Sequence, residues 1–286
     1  MNPIQPAEPT PGPTPDRPPD RPPDPVHPVR YVLFDFDGPL VRLFAGHPAP
    51  GVAHRLLGEL DGGIPAAGLG FSDRTDPHRV LLELGGLLAA APSLPEAEAE
   101  QLASRISQAL TAEECRAAGT AVPTPGADLL VDALERTGCR LAITSNNAPE
   151  AIFAYLAREQ ASGIAAAFRE HVYGRSPDPR LMKPDPDCVR RALKGLRCED
   201  PRQALLIGDS PSDYQAATAA GVRFLGFAST ERGALRLRAA RVPVIVGHRD
   251  SLPRVLALLS DAPGAGHQAQ HNSGSPQRSN GSESVN

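Results

Sequence analysis

The chain has 286 residues, a formal charge of −4 and a hydrophobic share of 41%. That share suffices for a folded core, though not over the whole length, and the slight acidity gives no electrostatic drive toward nucleic acid or an anionic membrane surface. No stretch is apolar for long enough to span a bilayer, and Met1-Asn2-Pro3 does not begin a basic-then-apolar leader, so a cytoplasmic location is the expectation.

Residues 1–29 are dominated by Pro with Asp, Arg and Glu between, and 262–286 by Gly, Ser, Gln, Asn and His. Neither composition buries enough apolar surface to offset its ordering entropy, so both read as disordered tails. Cys115, Cys139, Cys188 and Cys198 lack CxxC spacing and suggest neither a zinc site nor a redox pair.

Tyr31 to Phe34 is an apolar run followed by Asp35, Phe36, Asp37 and Gly38. It reads as a strand buried on both faces, as in a parallel sheet, with its acids at the carboxyl end and Gly38 opening a turn. The period of two directs Asp35 and Asp37 toward one site. Taken alone, the pair reads equally well as two acids that cap a strand and meet solvent.

After Leu40 the pattern turns helical. Val52 to Leu60 is the first segment. Thr75-Asp76-Pro77 signals a second helix start, leading into Val80, Leu81, Leu84 and Leu88. A third segment from about Glu96 carries Leu102, Ile106 and Leu110 on one face. Together they make an all-helical insertion over 45–119, roughly 75 residues and too long for a loop between core elements.

From Pro123 strands and helices alternate. Helices are expected over 127–136, 149–157, 186–196 and 211–220. Strands are expected over 140–144, 171–174, 204–209, 222–227 and 244–246, the last two each followed by a helical segment. The pattern predicts an α/β fold: a doubly wound, mostly parallel sheet over 30–44 and 120–261, with a small all-helical cap inserted after the first strand.

Gly208-Asp209-Ser210-Pro211-Ser212-Asp213 repeats the logic of the first strand. Asp209 falls at a strand tip and Asp213 about one helical turn later, in the next helix. With Asp35 and Asp37 this gathers four carboxylates, which repel unless a cation neutralises them. All-oxygen ligands suit a hard ion such as Mg²⁺. Ser145, with Asn146 beside it, ends another strand, and Lys183 precedes a helix. A helix cap and a solvated lysine are the plain readings of Ser145 and Lys183 singly. Their order along the chain is the one a single site needs.

Asp35-Phe36-Asp37-Gly38, the strand ending at Ser145-Asn146, Lys183-Pro184 and Gly208-Asp209-Ser210-x-x-Asp213 together resemble the four motifs of the haloacid dehalogenase superfamily, over about Arg30 to Leu259. The helical insertion resembles that family's cap. The resemblance implies Asp35 as nucleophile, forming an aspartyl-phosphate, and Asp37 as general acid and then base. It implies Mg²⁺ held by Asp35, the Asp37 carbonyl, Asp209 and Asp213. It implies phosphoryl oxygens held by Ser145, Asn146 and Lys183, the lysine also offsetting the charge of Asp35.

The acid at Asp37 favours phosphate esters over dehalogenation, so the expected function is a Mg²⁺-dependent phosphatase of a small phosphorylated metabolite, with no nucleic-acid or membrane partner. A phosphosugar mutase and a catalytically silent phospho-ligand or partner binder are the alternatives. Pro39 stands where the family usually has Thr, removing a hydroxyl and a backbone donor. Arg42, His47, His54, Arg74, His78 and Arg79 are the cap's charged candidates, and Arg42, just past the first motif, leads them as a substrate contact. The basic segment Arg236 to Arg241 reads as a solvated helix face.

Overall fold

The structure, a computed structural model, describes residues 28–61, 70–89 and 95–247. The expected tails over 1–29 and 262–286, and the segment expected after 246, lie outside the described residues save for 28, 29 and 247.

Strand β1 (Tyr31–Phe34) sits in the middle of the sheet. It is paired in parallel with β4 (Arg140–Thr144) on one side and β6 (Ala204–Gly208) on the other. Phe34 lies level with Ile143 and Ile207 in register. With β5 (Val172–Tyr173), β7 (Arg223–Phe227) and β8 (Ile245–Val246) the order is β5-β4-β1-β6-β7-β8, every pair parallel.

Alternation along β1 divides its side chains between the two faces. Val32 and Phe34 join Leu141, Ile143, Leu205 and Ile207 in a cluster covered by α4 (Ala127–Arg136), α5 (Pro149–Leu156) and α6 (Ser162–Phe168). Leu33 joins Ala142 and Leu206 on the other face, under α7 (Asp187–Gly195) and α8 (Pro211–Ala219). Val32, Leu33 and Phe34 are all fully buried, each contributing about 1.5–3 kcal/mol of hydrophobic stabilisation. Sandwiching between two helical layers is the reason the strand carries no polar residue until its carboxyl end.

Three helices are inserted between β1 and α4: α1 (Ala49–Asp61), α2 (Pro77–Ala89) and α3 (Glu96–Thr120). The apolar positions expected to share faces do so, with Val52, Leu56, Leu60, Val80, Leu81, Leu84, Leu88, Leu102, Ile106 and Leu110 forming a cluster of their own. Asp76 caps α2, accepting from the backbone N–H of His78 at 2.9 Å and of Arg79 at 3.2 Å, while Thr75 bonds back to Asp73. Met182, beside Lys183, is the one member of this cluster from the α/β layers. At the far end of α3, Ala117 and Ala118 pack into the sheet's cluster instead.

Two features depart from the expected pattern. A two-stranded antiparallel ribbon of β2 (Val41–Arg42) and β3 (Val122–Pro123) ties the chain's exit to the helices to its return. Helix α6 fills a stretch where the sequence predicts no element. Its apolar Ile164 and Phe168 give only one helical repeat, too little to register as a period.

Candidate active site

The chain runs from β1 to β4 and β5 on one side and then crosses to β6, β7 and β8 on the other, so the strand order reverses direction at β1. This is the switch point at which open parallel sheets form a crevice. A cavity of about 490 Å³ opens there. It is lined by Asp35, Asp37, Ser145, Asn146, Lys183, Asp209 and Asp213, so the four motifs converge on one space.

Lys183 is the centre of charge. Its buried ammonium donates to Asp35 Oδ1 at 2.9 Å and to the Thr144 carbonyl at 3.0 Å, and lies 2.5 Å from Asp213 Oδ1. Burial pulls its pKa down, but Asp213 and Asp35 outweigh that and hold it above the ordinary lysine value. The cation is therefore permanent.

Asp213 divides its two oxygens between tasks. Oδ2 accepts from the backbone N–H of Ser210 at 3.0 Å and of Asp209 at 3.2 Å, closing a capping box in which Ser210 Oγ accepts from the Asp213 N–H. Oδ1 is left for Lys183 and the cavity. The sequence Ser-Pro-Ser-Asp thus both starts α8, with Pro211 in its first turn, and aims a carboxylate at the site.

Asp35, Asp209 and Asp213 each offer an oxygen within 4.8 Å of the others. Burial pushes Asp35 up to about 6, the Asp213 charge adds to this, and Lys183 opposes it. Asp209 is raised well above the carboxylate range by burial and by Asp35, Asp213 and Asp37. Among the described residues no donor satisfies the Asp209 carboxylate. A crowded, all-oxygen trio, with Asp35 and Asp213 buried and the half-buried Asp209 lacking a donor, fits a hard divalent cation.

Asp37 stands apart from this trio. Its Oδ1 accepts from the Leu43 N–H at 2.8 Å. Burial raises its pKa to about 6, with that N–H pulling the other way. Its side chain lines the same cavity, so the four carboxylates expected in one cluster are three together and one a short way off. The reason is the turn: Gly38, at φ +115°, reverses the chain so that Asp37 bonds back to the residues after Val41. A β-carbon on Gly38 would sit 2.6 Å from Asp209 Oδ2, so only glycine lets the first motif lie against the fourth.

Pro39 leaves the turn fully held. The Gly38 N–H donates to Val41 O at 2.7 Å, the Thr124 hydroxyl to Gly38 O at 2.6 Å and the Thr124 N–H to Leu40 O at 3.0 Å. The loop is fastened from the β3 side and needs nothing from an amide at position 39.

Ser145 is buried and donates to Asn147 Oδ1 at 3.0 Å. Asn146 straps the lysine's backbone: its Oδ1 accepts from the Lys183 N–H at 2.7 Å and its Nδ2 donates to Lys183 O at 3.1 Å.

Of the cap candidates, His78 alone lines the cavity. Arg42 does not. It is the outward residue of a two-residue strand whose other member, Val41, is fully buried, so the period of two turns it to solvent. His47 bonds Glu113, His54 is exposed, Arg74 lies over the Phe71 ring and Arg79 pairs with Glu83. On the far rim, α9 (Glu231–Ala239) presents Arg232 and Arg236, so the basic segment is not wholly a solvated face.

Sequence reasoning missed Glu114 and Arg175, which form a fully buried ion pair at 2.9 Å against the Ser145–Ala148 loop. A signal existed: Leu102, Ile106 and Leu110 step by four along α3, and the next place on that buried stripe is Glu114. A carboxylate on an apolar stripe has a partner waiting.

Residues 29–221 match the haloacid dehalogenase-like hydrolase family. The chain is 32% identical over 201 residues to a phosphoglycolate phosphatase of Rhodospirillum rubrum, covering 67% of this chain and 76% of that one. It is 30% identical over 245 residues to a plasmid-encoded phosphoglycolate phosphatase of Cupriavidus necator, covering 83% and 97%. A hydrolase from Pseudomonas syringae shares the fold, with a TM-score of 0.56 at 21% identity over 80% of this chain and 98% of the other. The chain belongs to the haloacid dehalogenase-like hydrolases.

Proposed function

We propose that this hydrolase removes the phosphoryl group from a small phosphorylated metabolite, using Asp35 as nucleophile and Mg²⁺ as cofactor. The family match and the phosphatase relatives carry the class of reaction. The observation that carries the assignment of roles is the position of Asp35, which lines the cavity, shares the Lys183 ammonium with Asp213 and offers an oxygen within 4.8 Å of Asp209 and Asp213.

Asp35 Oδ1 is held by Lys183, which fixes the carboxylate and keeps it ionised against the burial that raises its pKa. It attacks phosphorus, and the ester oxygen leaves as the alcohol after taking a proton from Asp37. Asp37 suits this role because its pKa of about 6 leaves both protonation states accessible near neutrality. The same carboxylate, now deprotonated, then takes a proton from the water that hydrolyses the acyl-phosphate and regenerates Asp35. The Ser145 hydroxyl, the loop after it and Lys183 hold the phosphoryl oxygens. Asp35, Asp209 and Asp213, with the Asp37 carbonyl, would hold a Mg²⁺ ion, which would supply charge neutralisation for the phosphoryl group.

We also propose that helices α1–α3, over 45–119, act as a cap that selects the substrate, and that the enzyme is cytoplasmic. Among the described residues no helix is long and apolar enough to cross a membrane. Phosphoglycolate and pyrophosphate, named for the curated relatives, are the first substrates to try.

The test is phosphate release with Mg²⁺ and with chelator, wild type beside Asp35→Asn. We expect chelator-sensitive release that falls by more than about 10³-fold in the variant, while its unfolding profile is kept. Turnover at the wild-type rate in Asp35→Asn would overturn the assignment.

A further inference from the structure

The buried Glu114 belongs to none of the four motifs, yet it receives four donors, as many as Asp213 within them. Its side chain has no exposure. Oε1 accepts from His78 Nε2 at 2.7 Å, from Arg175 Nη1 at 2.9 Å and from Asn147 Nδ2 at 3.1 Å, and Oε2 accepts from the Ala148 N–H at 3.0 Å. Two of these donors can be cations, which makes the bonds stronger than neutral ones.

The donors come from both lobes. His78 stands at the start of α2 and lines the cavity, whereas Asn147 and Ala148 belong to the loop after β4 and Arg175 follows β5. Arg175 also donates to the Asn146 carbonyl at 3.0 Å and, through Nη2, to the Thr111 hydroxyl of α3 at 2.9 Å. Each connection then runs on toward the reacting carboxylate. Asn147 accepts from Ser145, and Asn146 straps Lys183, which holds Asp35.

We infer that Glu114 is a positioning residue: one buried carboxylate that fixes the cap's cavity-facing His78 and the phosphate-holding loop Ser145–Ala148 in register with each other. It touches neither substrate nor reacting atoms and acts through Asn147, Arg175 and His78. The inference rests on the phosphatase reading above. Its neighbour supplies the contrast. Glu113, one residue earlier on α3, faces the other way and joins His47, Arg55 and Arg116, none of which lines the cavity.

The experiment compares Glu114→Gln, Glu113→Gln and Asp35→Asn on 4-nitrophenyl phosphate, with inorganic phosphate as competitive inhibitor and chemical unfolding measured in parallel. The Gln side chain at 114 keeps the shape but sets an amide against donors, displacing the loop. We expect Glu114→Gln to lose about 10²-fold in kcat/KM, the size of a misplacement of about 1 Å, and to weaken phosphate inhibition by about 10-fold. Glu113→Gln keeps wild-type kinetics. The double variant Glu114→Gln/His78→Gln loses no more than the worse single, because the two residues act through one link.

A folded Glu114→Gln enzyme with wild-type kcat/KM and phosphate inhibition overturns the inference, as do losses that multiply in the double variant. Should Glu114→Gln not fold, Asn147→Ala decides. It cuts the same chain one link on and leaves Glu114 with Arg175. Weaker phosphate inhibition supports the role, and unchanged inhibition overturns it. Asp35→Asn separates the two readings: if it keeps turnover the phosphatase reading fails, whereas a dead Asp35→Asn beside an unaffected Glu114→Gln sinks the positioning role alone.

Discussion

Replacing Lys183 with Met removes the one cation shared by Asp35 and Asp213 and leaves two buried carboxylates facing each other and Asp209. At 2.9 and 2.5 Å each attraction is about 6 kcal/mol at an effective dielectric of about 20. Much of that is offset by the cost of burying the ammonium, so the net loss expected on breaking such a buried pair is about 3–5 kcal/mol.

The loss depends on pH in a definite direction. Asp35 already has a folded pKa of about 6, raised from 3.8, and without the lysine it rises further. A carboxyl raised on folding binds more protons folded than unfolded, so stability falls as pH climbs through that window. The metal-free variant should therefore be less stable than wild type by the full amount at about pH 8, and by clearly less at about pH 5, where protons replace the missing cation. Urea unfolding at both pH values, with chelator and then with Mg²⁺, measures this, and Mg²⁺ should recover part of the loss. Unfolding free energies within about 0.5 kcal/mol of wild type at about pH 8 would refute the reasoning.

Other expectations follow from the same geometry. Gly38→Ala forces a side chain into a left-handed backbone and against Asp209, so thermal unfolding should show a loss of about 1–3 kcal/mol and calorimetry weaker Mg²⁺ binding. The His78 pKa stands above 6.5 although burial lowers it, because Glu114 lies against it. Stability from that pair is complete below the unfolded value and fades as pH rises through the folded one. The unfolding free-energy gap between wild type and His78→Gln should then shrink from about pH 6 to about pH 9. Glu113→Gln removes a brace between α1 and α3 whose arginines are half exposed, so denaturant unfolding should report a loss of only about 1 kcal/mol near neutral pH. Arg42→Ala should leave kcat/KM unchanged in the phosphate-release assay, since the side chain points to solvent.

The α/β class, the position of β1, the cap's apolar stripes and the four motifs were legible in the sequence because each is written locally. An apolar run ending in Asp, or Leu at every fourth position, states its period without reference to distant residues. Tertiary structure decided what depends on pairing across the chain. That Asp37 leaves the carboxylate trio follows from a turn closed by Val41 and Leu43. That Arg42 faces outward follows from a ribbon with Val122, itself formed only because the two ends of the cap meet. His78 and Glu114 are separated by the length of α2 and much of α3, and only packing brings them to the Ser145 loop. Sequence fixes which residues want burial, and so which faces meet. It does not say where a buried charge finds its partner, because a carboxylate accepts a donor from any direction the fold supplies.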